Sequence, residues 1–130
     1  MTAVIHEALV HLGPNVSSLG EGRRFVAKTL RDWNMDEETI EPVMLVANEL
    51  IANAIVHAHS APVLSLAEAG DDLLLRVADE AGTLAVARRA TPGDDGGRGL
   101  VLVEALCDRW GVDANESGKT VWVSFAHAFS

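Results

Sequence analysis

Apolar and polar positions alternate loosely over the first dozen residues. Val4, Ala8 and Val10 lie among polar neighbours and Gly13-Pro14 closes the run, so the chain is predicted to open with a strand. The period then changes. Leu19, Phe25, Val26, Leu30 and Trp33 fall on one helical stripe, with Ser17 or Ser18 the expected N-cap and an end near Asn34. The opposite face collects Arg23, Arg24, Lys28 and Arg31, expected to be a solvated face, with a partner contact as the alternative. A second helix is predicted from Asp36 through PVMLVANELIANAIVHA to about His57. Its early acids, at positions 37, 38 and 41, suit the positive end of the helix dipole, and Ser60-Ala61-Pro62 stops it. Two strands, VLSLAEA and LLLRVAD, are joined by a hairpin turn at Gly70-Asp71-Asp72. From Ala87 to Gly99 a proline and four glycines indicate a loop, and Leu100 to Cys107 fits a short helix. Two closing strands are expected at about 109–114 and 119–126, joined by a turn at 115–118. This order predicts an α+β two-layer sandwich, a mostly antiparallel mixed sheet with helices on one face. At 130 residues a single domain over 1–130 is expected.

Composition narrows the partners. Ten Lys+Arg against nineteen Asp+Glu give a net charge of −9, which disfavours phosphate-backbone binding to nucleic acid and attachment to anionic lipid. With 48% hydrophobic residues the chain is no candidate for intrinsic disorder. Cys107 is the one cysteine, so no internal disulfide or cysteine-rich metal site forms and a reducing, cytoplasmic setting is expected. MTAVIHEALVHL lacks a basic start and carries Glu7, unlike a signal peptide. No apolar run is expected to approach the roughly 18 residues of a spanning helix.

Candidate chemistry concentrates on the second helix. Glu49, Asn53 and His57 are spaced i, i+4, i+8 and form one stripe, with Leu45, Val46, Ala52 and Val56 close to it in projection. A few polar groups among aliphatics suit the wall of a ligand cavity; the alternative is a partly exposed face with a buried, hydrogen-bonded Asn. Asp79 ends an apolar strand, where its carboxylate can accept from a ligand or simply begin a turn, and Gly82 beyond it permits close backbone approach. Gly96-Gly97-Arg98-Gly99 runs into the predicted helix at Leu100, presenting backbone N–H groups and a guanidinium to an anion. Other motifs fail. Gly118-Lys119-Thr120 resembles the end of a P-loop, but position 113 is Asp113 and VWVSF is a strand. Gly97-x-Gly99 continues to Leu102 rather than to the third glycine of a dinucleotide fingerprint. His57-x-His59 has no further zinc ligands nearby in sequence, and no nucleophile elbow marks a Ser-His-Asp hydrolase.

Together, NELIANAIVHA, VADEAG, GGRGLVLVEALCDRWGV and GKTVWVSF resemble, in order and spacing, the boxes of the nucleotide-binding (Bergerat) fold of gyrase, histidine kinases and heat-shock chaperone ATPases. The likeness is strongest to the bacterial anti-sigma factor serine kinases and covers about residues 20–126. It implies ATP and Mg²⁺ as cofactors, with Asn53 as the amide ligand of Mg²⁺ and Glu49 as general base toward a serine hydroxyl. Asp79 is then similar to the carboxylate that accepts from the adenine amine, with Thr120 as the supporting hydroxyl. Gly82 falls in the first glycine box, while Gly97, Arg98, Gly99 and Leu100 resemble the end of the phosphate lid. Ala81 and Thr83 stand where that first box commonly has glycine, which stiffens the backbone and predicts lower nucleotide affinity. Asp94 and Asp95 would face phosphate charge. His6-Glu7 has too little chain before it for a histidine-kinase acceptor helix. The implied partners are a sigma factor and its anti-sigma factor antagonist, and homodimers are common among such proteins. The implied function is an anti-sigma switch that phosphorylates the antagonist; the alternative is a non-catalytic adaptor of the same fold.

Overall fold

The computed structural model describes residues 4–58, 60–79, 103–115 and 118–126. In chain order these form β1 (Val4–His11), α1 (Ser17–Asp32), α2 (Glu37–Ala58), β2 (Val63–Ala69), β3 (Asp72–Asp79), β4 (Arg109–Asn115) and β5 (Gly118–Phe125). A single helical turn at 103–106 precedes β4. The strands make one sheet in the order β1-β2-β3-β5-β4, and every pairing among the described strands is antiparallel. The expected two-layer α+β architecture is therefore present, and no parallel pair occurs among the described residues.

Alternation decides which face the helices cover. Leu64 and Leu66 of β2 lie opposite Val77 and Leu75 of β3, which lie opposite Val121 and Val123 of β5. All six are at most 5% exposed and share one core with Val26 and Leu30 of α1 and with Val43, Val46, Leu50 and Ile51 of α2. The other face carries Arg76 opposite Trp122, and Leu9, 56% exposed, opposite Ser65. Gly70 turns β2 into β3 with a φ of 64°, the left-handed backbone a two-residue hairpin needs.

The helix ends differ from expectation in one respect. Val16 holds the cap position of α1 and makes no side-chain cap bond. Ser17 Oγ donates to Asn15 Oδ1, and the buried Ser18 donates to the Gly13 carbonyl at 2.6 Å. The serines tie the β1–α1 connection rather than the helix N–H groups. Asp36 does cap α2, accepting from the Thr39 N–H at 2.9 Å. Two of the four basic residues on α1 serve internal ion pairs. Lys28 meets Asp32 at 2.9 Å, and Arg31 forks onto both oxygens of Glu37, at 2.8 and 2.6 Å. That fork holds the Glu37 carboxyl below its ordinary range and the guanidinium above its own, through direct hydrogen bonding.

The stretch Glu37–Val56 of α2, 20 residues with mean hydropathy 1.4, is long and apolar enough to cross a membrane by length and composition. It holds no unbroken apolar run of that length, because Glu41, Asn48, Glu49 and Asn53 interrupt it. Much of its apolarity is used inside the fold, where Ile40, Val43, Val46, Ala47, Ile51 and Ala54 are all at most 1% exposed.

Candidate functional site

At 3.6 residues per turn, Glu49 and Asn53 lie one above the other on α2, and both are half-buried. Leu45 and Val56 flank them at 48% and 60% exposure, so the stripe is an apolar rim with two polar groups inside it. Val46 lies close to the stripe in projection, about 20° from Asn53 at about 100° per residue, but it is fully buried, so on that side the stripe runs into the core. The side chain of His57 lies outside the described residues, as does His59.

Connectivity brings this stripe to the end of β3. Only residues 59–62 separate the last residue of α2 from Val63, and Val63 pairs with Ala78. The C-terminal half of α2 and Asp79 therefore occupy the same end of the layer. The Ser60 N–H to Ala54 carbonyl bond (3.3 Å) and the Leu12 N–H to Pro62 carbonyl bond (2.9 Å) fix the connection. Asp79 continues the inward series Leu73, Leu75, Val77, which buries its carboxylate on the face that packs against the helices.

Directly across from Asp79 stands Lys119, not Thr120. Residue 119 continues the inward series Phe125, Val123, Val121, whereas Thr120 pairs with Ala78 on the other face. Lys119 Nζ lies 3.9 Å from Asp79 Oδ2, with side-chain exposures of 1% and 2%. A cleft of about 280 Å³ opens at these strand ends, lined by Ala78, Asp79, Asp113, Gly118, Lys119 and Thr120. It draws on residues of both faces and so wraps the end of the sheet. In the sequence Lys119 stands only in an incomplete P-loop motif. The signal that finds it is strand alternation, counted back by twos from Phe125.

Gly82, Gly97, Arg98, Gly99 and Leu100 lie outside the described residues, as do Ala81, Thr83 and the acids Asp94 and Asp95. Among the described residues no three His, Cys, Asp or Glu side chains gather to hold a metal ion. Mg²⁺ rarely needs such a cage, since it keeps waters and takes phosphate oxygens with one or two protein ligands. The amide of Asn53, one turn from the carboxylate of Glu49, fits that modest demand.

A second cleft, of about 410 Å³, lies at the opposite end of the layer between the start of α2 and the helical turn, lined by Thr39, Pro42, Leu106, Cys107 and Phe125 among others. Burial pushes the Cys107 thiol up from its ordinary range, with Asp108 and Glu104 adding to the shift.

The model of the histidine kinase-like ATPase domain family matches residues 13–125. No curated protein matches the chain. Among solved structures, the crystal structure of the RsbU and RsbW domains of Rv1364c from Mycobacterium tuberculosis is similar, with a TM-score of 0.72 at 19% identity. The likeness covers 93% of this chain and 32% of that one, so this chain spans about a third of that structure's length.

Proposed function

Because the chain belongs to the histidine kinase-like ATPase domain family, we propose that it is a cytoplasmic anti-sigma switch that uses Mg-ATP to phosphorylate a serine of a small antagonist protein. The observation that carries this reading is the half-buried pair Glu49 and Asn53 on α2, at the same end of the layer as Asp79. Asn53 would hold Mg²⁺, and the bound ion would neutralise and orient the nucleotide phosphates. Asp79 would accept from the base. Glu49, a carboxylate on a rim exposed enough for a protein substrate, would take the proton of the serine hydroxyl as its oxygen attacks the γ-phosphorus. The bond from that phosphorus to the β–γ bridging oxygen breaks, and ADP leaves. Little covalent chemistry falls to the protein, since phosphoryl transfer depends on positioning and charge neutralisation. Sigma-factor and antagonist partners are carried over from the resemblance of the sequence boxes.

The test is transfer of label from γ-labelled ATP to antagonist proteins encoded in the same genome, with wild type and Glu49→Ala side by side. Glu49→Ala should keep Mg-ATP affinity within about twofold by calorimetry and lose transfer by two orders of magnitude or more, the scale of general-base catalysis. Transfer at the wild-type rate would remove Glu49 from the role of base. A second reading, the non-catalytic adaptor, is favoured by one observation, the burial of Lys119 against Asp79.

A further inference from the structure

A carboxylate that recognises an exocyclic amine must offer negative charge and room for an N–H donor in front of it. Lys119 takes up both. Its ammonium stands 3.9 Å from Asp79 Oδ2, an ion-pair distance rather than a hydrogen bond, its charge offsets that of the carboxylate, and its stem lies buried on the same face. The arrangement belongs to the sheet register rather than to a chance rotamer. Asp79–Lys119 is the next same-face pair after Leu75–Val123 and Val77–Val121, so alternation commits both side chains inward. At 2% and 1% exposure each charge requires compensation, and a base that engaged Asp79 would also have to leave Lys119 compensated or move it out.

We propose that Lys119 is a resident competitor for Asp79: it sets the base affinity of this site low and makes base entry conditional on its own displacement. The inference rests on the nucleotide reading of Asp79 given above and deepens it. Such a site draws most of its nucleotide affinity from the phosphate end, and it distinguishes this chain from a site whose carboxylate faces an uncharged neighbour. Residue 119, rather than Thr120, is then the specificity-determining position on β5.

Adenosine and Mg-ATP are titrated calorimetrically into wild type, Lys119→Thr, Lys119→Met and Lys119→Arg, each checked for folding by circular dichroism. Adenosine carries no phosphate and reports the base end alone. Lys119→Thr should bind both ligands at least tenfold more tightly than wild type. Lys119→Met keeps the buried volume and removes only the charge; it should also gain, and it replaces the threonine variant should that one not fold. Lys119→Arg keeps the charge and should bind no more tightly than wild type. Equal or weaker binding by the threonine and methionine variants overturns the inference, as does a comparable gain by Lys119→Arg. Measurable wild-type binding with no gain overturns this inference alone and leaves the nucleotide reading standing. Folded wild type and variants that all fail to bind either ligand overturn both.

Discussion

Asp79 and Lys119 make the sharpest residue-scale statement in this molecule, because both charges sit out of water. Removing one member of a buried pair leaves the other charge uncompensated, at a cost of about 3–5 kcal/mol, whereas removing both is cheaper. Asp79→Asn should therefore lower the unfolding free energy by about 3 kcal/mol in urea, toward the low end because 3.9 Å is long for an ion pair. Adding Lys119→Met should recover most of that loss; a double mutant as unstable as the sum of the singles would show that the two charges do not couple. Cys107 gives the second expectation at this scale. Its thiol is pushed up by burial first and by Asp108 and Glu104 after it, so the thiolate is scarcer at neutral pH than in a free cysteine. Iodoacetamide should label it several-fold more slowly than the unfolded chain at pH 7.5, with the rate rising only beyond the ordinary thiol range. Because the folded form holds the proton more tightly, this thiol contributes stability that is lost as pH climbs through that range. Glu49 and Asn53 were legible at this scale from spacing alone. The serines before α1 were not: Ser18 has a nearby carbonyl to bond, Gly13, and that local bond competes with capping.

At the scale of elements, the strands were legible because burial on one face enforces a period of two, and α2 because its apolar positions repeat every three to four residues. What the pattern leaves out is how elements are held against one another. Gly111 in β4 faces Trp122 in β5, and a Cβ there would come within 2.6–2.8 Å of three indole atoms. An indole ring is rigid, so Gly111→Ala should force it off its rotamer and cost about 1–3 kcal/mol. Urea denaturation followed by tryptophan fluorescence reads both the loss and the displaced ring; an unchanged midpoint would show that the ring moves aside freely. At the far end of the sheet, His6 Nδ1 lies 2.5 Å from Glu68 Oε1, and its ring stacks on Trp33 at 5.3 Å between centroids. This contact joins β1 and β2 to the end of α1. It is a tertiary feature, since the three residues are spread across more than sixty positions.

For the whole molecule, a net charge of −9 sets a repulsive background for any triphosphate. Local neutralisation must then outweigh the global field, and in the proposed site that task falls to a metal ion held by Asn53, since no His, Cys, Asp or Glu cluster for a metal occurs among the described residues. Chelating Mg²⁺ should accordingly weaken ATP binding at least tenfold, about 1.4 kcal/mol, while leaving adenosine binding unchanged. Equal losses for ATP and adenosine would mean that the metal supports the fold rather than the phosphates. The two ends of the layer are chemically distinct: the α2 C-terminal end carries Glu49, Asn53, Asp79 and Lys119, and the other carries the cleft beside Cys107. The apolarity of α2, enough by composition for a membrane span, is spent largely on the core between the sheet and α1.

The sequence by itself determined the α+β order of elements, the helices on one face, and the Glu49–Asn53 stripe. Each follows from a local period that burial imposes on the chain. Only the tertiary structure decided the pairing order of the strands, and with it which residue of Lys119 and Thr120 stands before Asp79. A one-residue step along β5 reverses the face of every side chain, and the register that sets the step is made by hydrogen bonds to β3, forty positions away in the chain.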